Sequence, residues 1–384
     1  MKVAVIAPTY LPARRANTIQ VMKMASALAG LDHEVQVIVP GPAPAESEAS
    51  WEALSSLYGL HYAFSVSWQD TDPRLRSYDF GLQSVSRARN WQADLIYTRH
   101  PQAAALASLS GLPTILEVHD LPRGRFGPVL YRAFLRGSGA RRLVVITHAL
   151  ADDLASSLGG PAKPPFRLVL PDGVDLERYA GLPEPAQARQ ILASKAGQPM
   201  PDTSQFTVGY TGHLYAGRGT HLLLELARQL SEVAFLLVGG DPQDIESLRS
   251  TLTREALSNV FLAGFVPNSD LPVYQAACDI LLMPYQQRVA ASSGGDISRY
   301  LSPMKLFEYL ACQRPILSSD LSVLREILNS NLACLLPPDN PVEWVNAIRH
   351  LKANPDHARQ LAERAMHEAQ RYTWEARAKR LLEF

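Results

Sequence analysis

Pro171-Asp172-Gly173-Val174-Asp175 opens a stretch, residues 171–204, in which the apolar runs of the chain stop and Pro, Gly and Asp take their place. It reads as a linker, because turn-forming residues do not continue a packed strand or helix. On its N-terminal side, short apolar, β-branched runs at 3–7, 35–39, 94–97, 114–118, 143–147 and 168–170 alternate with helical patterns. On its C-terminal side the alternation restarts at 206–211, 235–239, 260–263, 280–283, 316–318 and 334–336. Apolar strands separated by helices imply a parallel sheet covered on both faces. After the first run, Ile19, Met22, Ala25 and Leu28 keep helical spacing, with Asn17 as the expected N-cap. The expected fold is α/β, two doubly wound domains facing each other across a cleft, with ligands at the carboxyl ends of the strands.

The length of 384 residues suits two domains better than one. Hydrophobic residues make up 47% and charged ones 19%, which excludes a mainly disordered chain. Lys plus Arg and Asp plus Glu balance at 37 each, so no global basic field exists to hold a nucleic acid. Cys278, Cys312 and Cys334 form neither an even set nor a metal-ligand spacing, and reduced, buried thiols are expected. The apolar run after Met1-Lys2 is too short for a signal peptide, and nowhere do eighteen apolar residues run together. A cytoplasmic protein is expected.

Three stretches carry chemistry. Ser302-Pro303-Met304-Lys305-Leu306-Phe307-Glu308 reads as a helix start, with Ser302 as N-cap and Pro303 as first helical residue, after the loop Ser293-Gly294-Gly295. The free amides of Met304 to Leu306 and the charge of Lys305 suit a phosphate, while Glu308 suits a sugar or ribose hydroxyl. By spacing alone, an ordinary capped helix accounts for the same residues. The turn Gly212-His213-Leu214-Tyr215-Ala216-Gly217-Arg218-Gly219 follows the first strand of the second half, and Arg218 between two glycines suits phosphate oxygens. Its glycine order does not match the dinucleotide fingerprint, and the first turn of the chain, residues 8–16, has no glycine. In the first half, His119 ends a strand as a potential acid, base or polar stabiliser, with Glu117 or Asp120 to orient its ring. Residues 121–151 hold Arg123, Arg125, Arg132, Arg136, Arg141 and Arg142 without an acidic residue. This is either a basic amphipathic surface for an anionic membrane, through 123–142, or a helix packed on its own sheet.

Taken together, these residues resemble the retaining family 4 glycosyltransferases of the GT-B fold. The motifs run in the family's order from the first strand through Glu117-Val118-His119-Asp120, Pro171 to Asp175, the 208–220 turn and Ser302 to Pro315, to Tyr372-Thr373-Trp374-Glu375. The resemblance implies an N-terminal acceptor-binding Rossmann-like domain, residues 1–172, completed by a C-terminal helix at about 366–384. It implies a nucleotide-sugar-binding domain at 173–365. It further implies that His119, Arg218 and Lys305 are catalytic. The donor would be held by Gly212, His213, Val266, Ser302, Pro303, Met304, Leu306 and Glu308, with Arg218 on the diphosphate, Val266 at the base and Glu308 on the ribose. Arg14, Arg15, Asn17 and Arg99 fall on the acceptor or membrane side.

The expected reaction moves a sugar from a nucleotide diphosphate sugar to an acceptor of the cell envelope or a lipid-linked acceptor, with retention. No cofactor or metal is expected, and the expected location is the cytoplasm, with peripheral association at the inner face of the membrane as the option that the basic segment leaves open. Two departures from the family pattern are Tyr300, at the position eight before Glu308 where a glutamate is common, and His213, where many members carry Arg. The alternatives with the same architecture are a nucleotide-sugar 2-epimerase, for which no further acid and base carboxylates are identified, and a donor-binding subunit without turnover.

Overall fold

The structure, a computed structural model, describes residues 1–75, 78–158, 166–194, 200–290 and 295–383. The chain separates into two compact units: Met1–Asp172 with Trp374–Phe384, and Gly173–Thr373.

Unit 1 contains seven strands among the described residues, β1 (Lys2–Ile6), β2 (Glu34–Pro40), β3 (Ser65–Gln69), β4 (Leu95–Thr98), β5 (Thr114–Val118), β6 (Ala140–Val145) and β7 (Arg167–Val169). They form one sheet in the order β3-β2-β1-β4-β5-β6-β7, and the paired strands run parallel. Unit 2 contains six, β8 (Thr207–Thr211), β9 (Ala234–Val238), β10 (Val260–Gly264), β11 (Ile280–Met283), β12 (Ile316–Ser319) and β13 (Cys334–Leu336), ordered β10-β9-β8-β11-β12-β13. The strand order reverses between β1 and β4 in unit 1 and between β8 and β11 in unit 2. Chain leaving the carboxyl ends of those pairs diverges to opposite faces, and a crevice for ligand opens there.

The structure adds one strand to the six read in the first half and none to the six read in the second. Ser65-Val66-Ser67-Trp68-Gln69 sits at the sheet edge as β3 and alternates polar with apolar residues, so it lacks the continuous apolar signal of its buried neighbours. The stretch 171–204 is not a bare linker: it holds a short 3-10 turn, Leu176–Tyr179, and a helix, Pro185–Ala193, whose buried face is Ala188, Arg189 and Leu192. Arg189 fastens this helix by donating to the Ala277 carbonyl at 2.8 Å and to Asp279 at 3.2 Å. Of the cysteines, Cys278 and Cys312 are buried and Cys334 is partly exposed.

The return to unit 1 comes at Trp374, later than residue 366. The helix Pro355–Ala369 buries Leu361, Ala362, Ala365 and Ala369 and packs on the helix Met304–Ala311. Tyr372 then packs its ring 5.2 Å from Phe307, and its carbonyl accepts from the Val174 amide at 2.8 Å. Only beyond this does the last helix, Trp374–Leu382, bury Trp374, Arg377, Ala378 and Leu381 against the helix Ala16–Ala29. Arg142, from the basic segment, is buried and donates to the carbonyls of Arg380 at 2.7 Å, Leu381 at 3.0 Å and Glu383. Those carbonyls end a helix and have no partner within it, so Arg142 serves as a C-terminal cap and is no part of an exposed basic face.

Candidate functional site

In unit 2 the crevice between β8 and β11 collects cations. Lys305 lies in the first turn of the helix Met304–Ala311, is only 9% exposed, and holds its ammonium 3.8 Å from the centroid of the Tyr210 ring. Its Nζ has no hydrogen-bond partner. Burial, and then the charge of Arg218, push this amine well below the usual lysine range, with Glu308 pulling the other way. Arg218 donates to the Tyr285 hydroxyl at 3.1 Å and lies 5.3 Å from the centroid of that ring. Its buried Nε is without a partner, as is His213 Nδ1. The His213 ring stacks on Tyr215 at 4.7 Å, and burial holds its pKa below the usual value.

Two glycines make this packing feasible. Gly212 has φ +131, and a Cβ there would stand 2.7 Å from Lys305 Nζ. Gly219 has φ +89, and a Cβ would meet the Pro284 carbonyl at 2.0 Å, so only glycine lets the turn lie against the chain leaving β11.

The helix begins one residue later than expected. Pro303 occupies the N-cap in an extended conformation (φ −80, ψ 129) and makes no side-chain cap, and Ser302 precedes it. Proline disfavours helical backbone in the residue before it, and a ring at the cap cannot accept from the first amides. Ser293 and Gly294 of the preceding loop lie outside the described residues. Glu308, 9% exposed, accepts from the Gln275 amide at 3.2 Å. Gln275 also donates to Thr211 Oγ1 at 3.2 Å and accepts from the Tyr179 hydroxyl at 2.9 Å, while Tyr309 accepts from the Thr211 amide at 2.8 Å. This polar network ties Glu308 to the end of β8. Met304 and Val266 are half-buried and Leu306 is buried; Val266 follows β10 and packs against the main core of the unit.

In unit 1, His119 follows β5, and its Nε2 lies 2.5 Å from Glu117 Oε1. Glu117 is the orienting carboxylate; Asp120 instead pairs with Arg123 at 3.0 Å. Glu117 is fully enclosed and accepts also from Gln20 at 2.7 Å, from the Tyr97 hydroxyl and from Arg377 at 2.9 Å. Burial alone would raise its pKa, but Arg377 and His119 outweigh that and hold the carboxyl below its usual range. A carboxylate only accepts, so the imidazole proton sits on Nε2 and the Nδ1 lone pair is left to act as an acceptor. Burial and Arg99 hold the His119 pKa down to about 4 against the pull of Glu117, which keeps the ring neutral at neutral pH. Arg99 follows β4 and donates to Gln20 Oε1 at 3.1 Å. Arg14, Arg15 and Asn17 are exposed. Arg15, not Asn17, takes the N-cap position of the helix Ala16–Ala29 and caps without its side chain.

The residues that sequence reasoning missed are supports: Tyr210 and Tyr285 under the cations, Gln275 behind Glu308, and Arg377 behind Glu117. Tyr285, Gln275 and Arg377 come from elements distant in sequence and carry no motif, whereas Tyr210 lies within the 208–220 stretch but was given no role there. Among the described residues, no helix is long and apolar enough to cross a membrane, and no three His, Cys, Asp or Glu side chains group to hold a metal ion.

The description "Glycosyl transferases group 1" matches residues 205–354, and "Glycosyltransferase Family 4" matches residues 18–178. A 2-deoxystreptamine N-acetyl-D-glucosaminyltransferase of Streptomyces fradiae is 25% identical over 309 residues, 70% of this chain and 68% of that protein. An alpha-galactosylglucosyldiacylglycerol synthase of Streptococcus pneumoniae is 24% identical over 272 residues, 67% of each chain. The crystal structure of Anabaena HepE in complex with UDP superposes with a TM-score of 0.72 at 18% identity, covering 100% of this chain and 99% of that one. Its likeness speaks to the fold, which is GT-B. With one description matched on each unit, and relatives of the same kind, the chain belongs to the family 4 glycosyltransferases.

Proposed function

We propose that this glycosyltransferase moves a sugar from a nucleoside diphosphate sugar to a hydroxyl acceptor, with retention of anomeric configuration and without a metal. One observation carries the reading: Lys305 Nζ, Arg218 Nε and His213 Nδ1 are buried together without hydrogen-bond partners. Buried polar atoms are normally satisfied, and cations left unpaired are costly, so the site is built for an anion that it does not contain by itself. The free amides at the start of the Met304 helix add their partial charge. HepE, bound to UDP on the same fold, supports a nucleoside diphosphate as that anion. Glu308 is then assigned to the ribose hydroxyls, the backbone at Val266 to the base, and His119 to the transfer step.

In the reaction, the bond between the anomeric carbon and the diphosphate oxygen breaks and its electron pair stays on phosphate. The acceptor oxygen forms its bond to the same carbon on the same face, and the acceptor proton passes to the departing phosphate. Negative charge grows on phosphate as the bond breaks, so Arg218, Lys305 and the helix start stabilise the transition state more than the ground state. This electrostatic work is what supports catalysis without a metal.

We place the acceptor at the cytoplasmic face of the membrane, as a lipid-linked or cell-envelope glycan. Phe126 and Val129 are 55% and 57% exposed beside the exposed Arg123, Arg125, Arg132 and Arg136, a combination that suits an anionic lipid surface. The Streptococcus synthase, named for a diacylglycerol lipid, supports that direction.

The test is thermal stability with UDP, GDP, ADP and NAD, in wild type, Lys305→Ala and Glu308→Ala. Ligand at about 100 times its dissociation constant adds about 2.7 kcal/mol. A shift with one nucleoside diphosphate, lost in both variants, supports the donor site; a shift with NAD alone sinks it. Transfer in the presence of EDTA and the anomeric configuration of the product then test metal independence and retention.

A further inference from the structure

A cavity of about 570 Å3 opens in unit 1 beyond the carboxyl ends of β4 and β5, lined in part by Tyr78, Arg99, His119, Arg125, Phe126 and Tyr131. Its acids are already spent. Glu117 is bound to Arg377 at 2.9 Å, and Asp120 to Arg123 at 3.0 Å. Among the described residues, no carboxylate pairs with Arg99 or Arg125: the first donates to a neutral amide oxygen at 3.1 Å, and the second lies 5.9 Å from the Phe126 ring centroid. His119 adds no charge at neutral pH, since burial and Arg99 hold its pKa down to about 4. The cavity is therefore electropositive.

We propose that this cavity receives an acceptor bearing a phosphate or carboxylate group, with Arg99 and Arg125 on the acid. The inference rests on the transferase reading and narrows its acceptor. Guanidinium groups are planar forks that match the oxygens of such acids, and charge-assisted bonds of this kind are about twice as strong as neutral ones. The rings of Tyr78 and Phe126 supply an apolar wall for the body of the molecule. An acceptor carrying an amine in the same place would face two unpaired cations.

The experiment uses the full chain saturated with UDP, so that the unit 2 cations are occupied, and titrates myo-inositol 1-phosphate, myo-inositol and glucosamine as probes. The expected result is that the phosphate probe binds about tenfold or more tighter than myo-inositol, and that glucosamine does not bind. Arg99→Gln and Arg125→Gln should each lose most of that preference, while both still bind UDP. Flotation with phosphatidylglycerol against phosphatidylcholine vesicles separates the two sources of the acid. Loss of the phosphatidylglycerol preference in the arginine variants assigns the cavity to a lipid headgroup; an unchanged preference, with phosphate-probe binding lost, assigns it to a soluble acceptor. The proposal is overturned if UDP binds but the phosphate probe does no better than myo-inositol, or does equally well in the arginine variants. Failure of wild type to bind any nucleoside diphosphate would instead remove the transferase reading on which it rests.

Discussion

Replacing Glu117 by Gln keeps the shape of the side chain and removes its charge from the interior of unit 1. Glu117 and Arg377 are 0% and 3% exposed, and their atoms meet at 2.9 Å. After the change, Arg377 retains the carbonyls of Pro171 at 2.9 Å and Leu170 at 3.2 Å, with the carboxyl of Asp172 as its remaining acidic neighbour. Removing one partner of a buried ion pair typically costs about 3–5 kcal/mol, because the other charge is left uncompensated in a medium that cannot solvate it. The expected loss for Glu117→Gln lies in that range. Urea unfolding followed by tryptophan fluorescence reads it selectively, since Trp51, Trp68, Trp91 and Trp374 belong to unit 1 and only Trp344 to unit 2. The double variant Glu117→Leu with Arg377→Met should be less destabilised than Glu117→Gln, because no charge is stranded. The pair also has a pH signature. The Glu117 carboxyl is held below its usual range, so its contribution is complete above the unfolded value of about 4.3 and is lost as pH falls below it. A cost under about 1 kcal/mol, or a double variant that costs the sum of its parts, would refute the idea that one ion pair locks the last helix to the sheet.

Lys305→Met should raise the stability of the unliganded protein, since it removes a desolvated amine without a partner, and should abolish stabilisation by UDP; a differential scanning measurement with and without UDP reads both. Binding of a nucleoside diphosphate should also raise the depressed pKa of the Lys305 amine back towards the usual lysine range, and titration calorimetry across a pH series in buffers of different ionisation enthalpy should show linked proton uptake in wild type and not in the variant. Gly212→Ala should weaken UDP binding, because its Cβ would stand 2.7 Å from Lys305 Nζ at φ +131, and direct titration checks this. Asp172 and His119 should act oppositely on the stability of unit 1. Burial lifts Asp172 to about 7, so its stabilising proton is lost as pH rises through that value; His119, held down to about 4, costs stability as pH falls from about 6.5 towards 4. Asp172→Asn should therefore raise stability most above pH 7, as unfolding across a pH series would show.

Much of the donor side was legible along the chain because its parts are local. Met304-Lys305-Leu306 sit at a helix start because Pro303 ends the extended segment before it, and Arg218 lies between glycines that have no Cβ to clash. The strands of both sheets are visible as continuous apolar runs, since a parallel sheet is buried on both faces; β3 escaped because an edge strand does not need that pattern. The two-unit organisation, the parallel sheets and the cation-bearing turns were thus determined by periodicity and turn chemistry within a few residues. Tertiary structure alone decided which groups those cations and acids meet. Arg377 reaches Glu117 across 260 positions, Gln275 reaches Glu308 across 33, and Arg142 turned from an expected surface cation into a cap for the last helix 239 positions away. The reason is physical: a side chain's periodicity says which face it is on, whereas its partner, its exposure and hence its protonation depend on what the fold brings against that face.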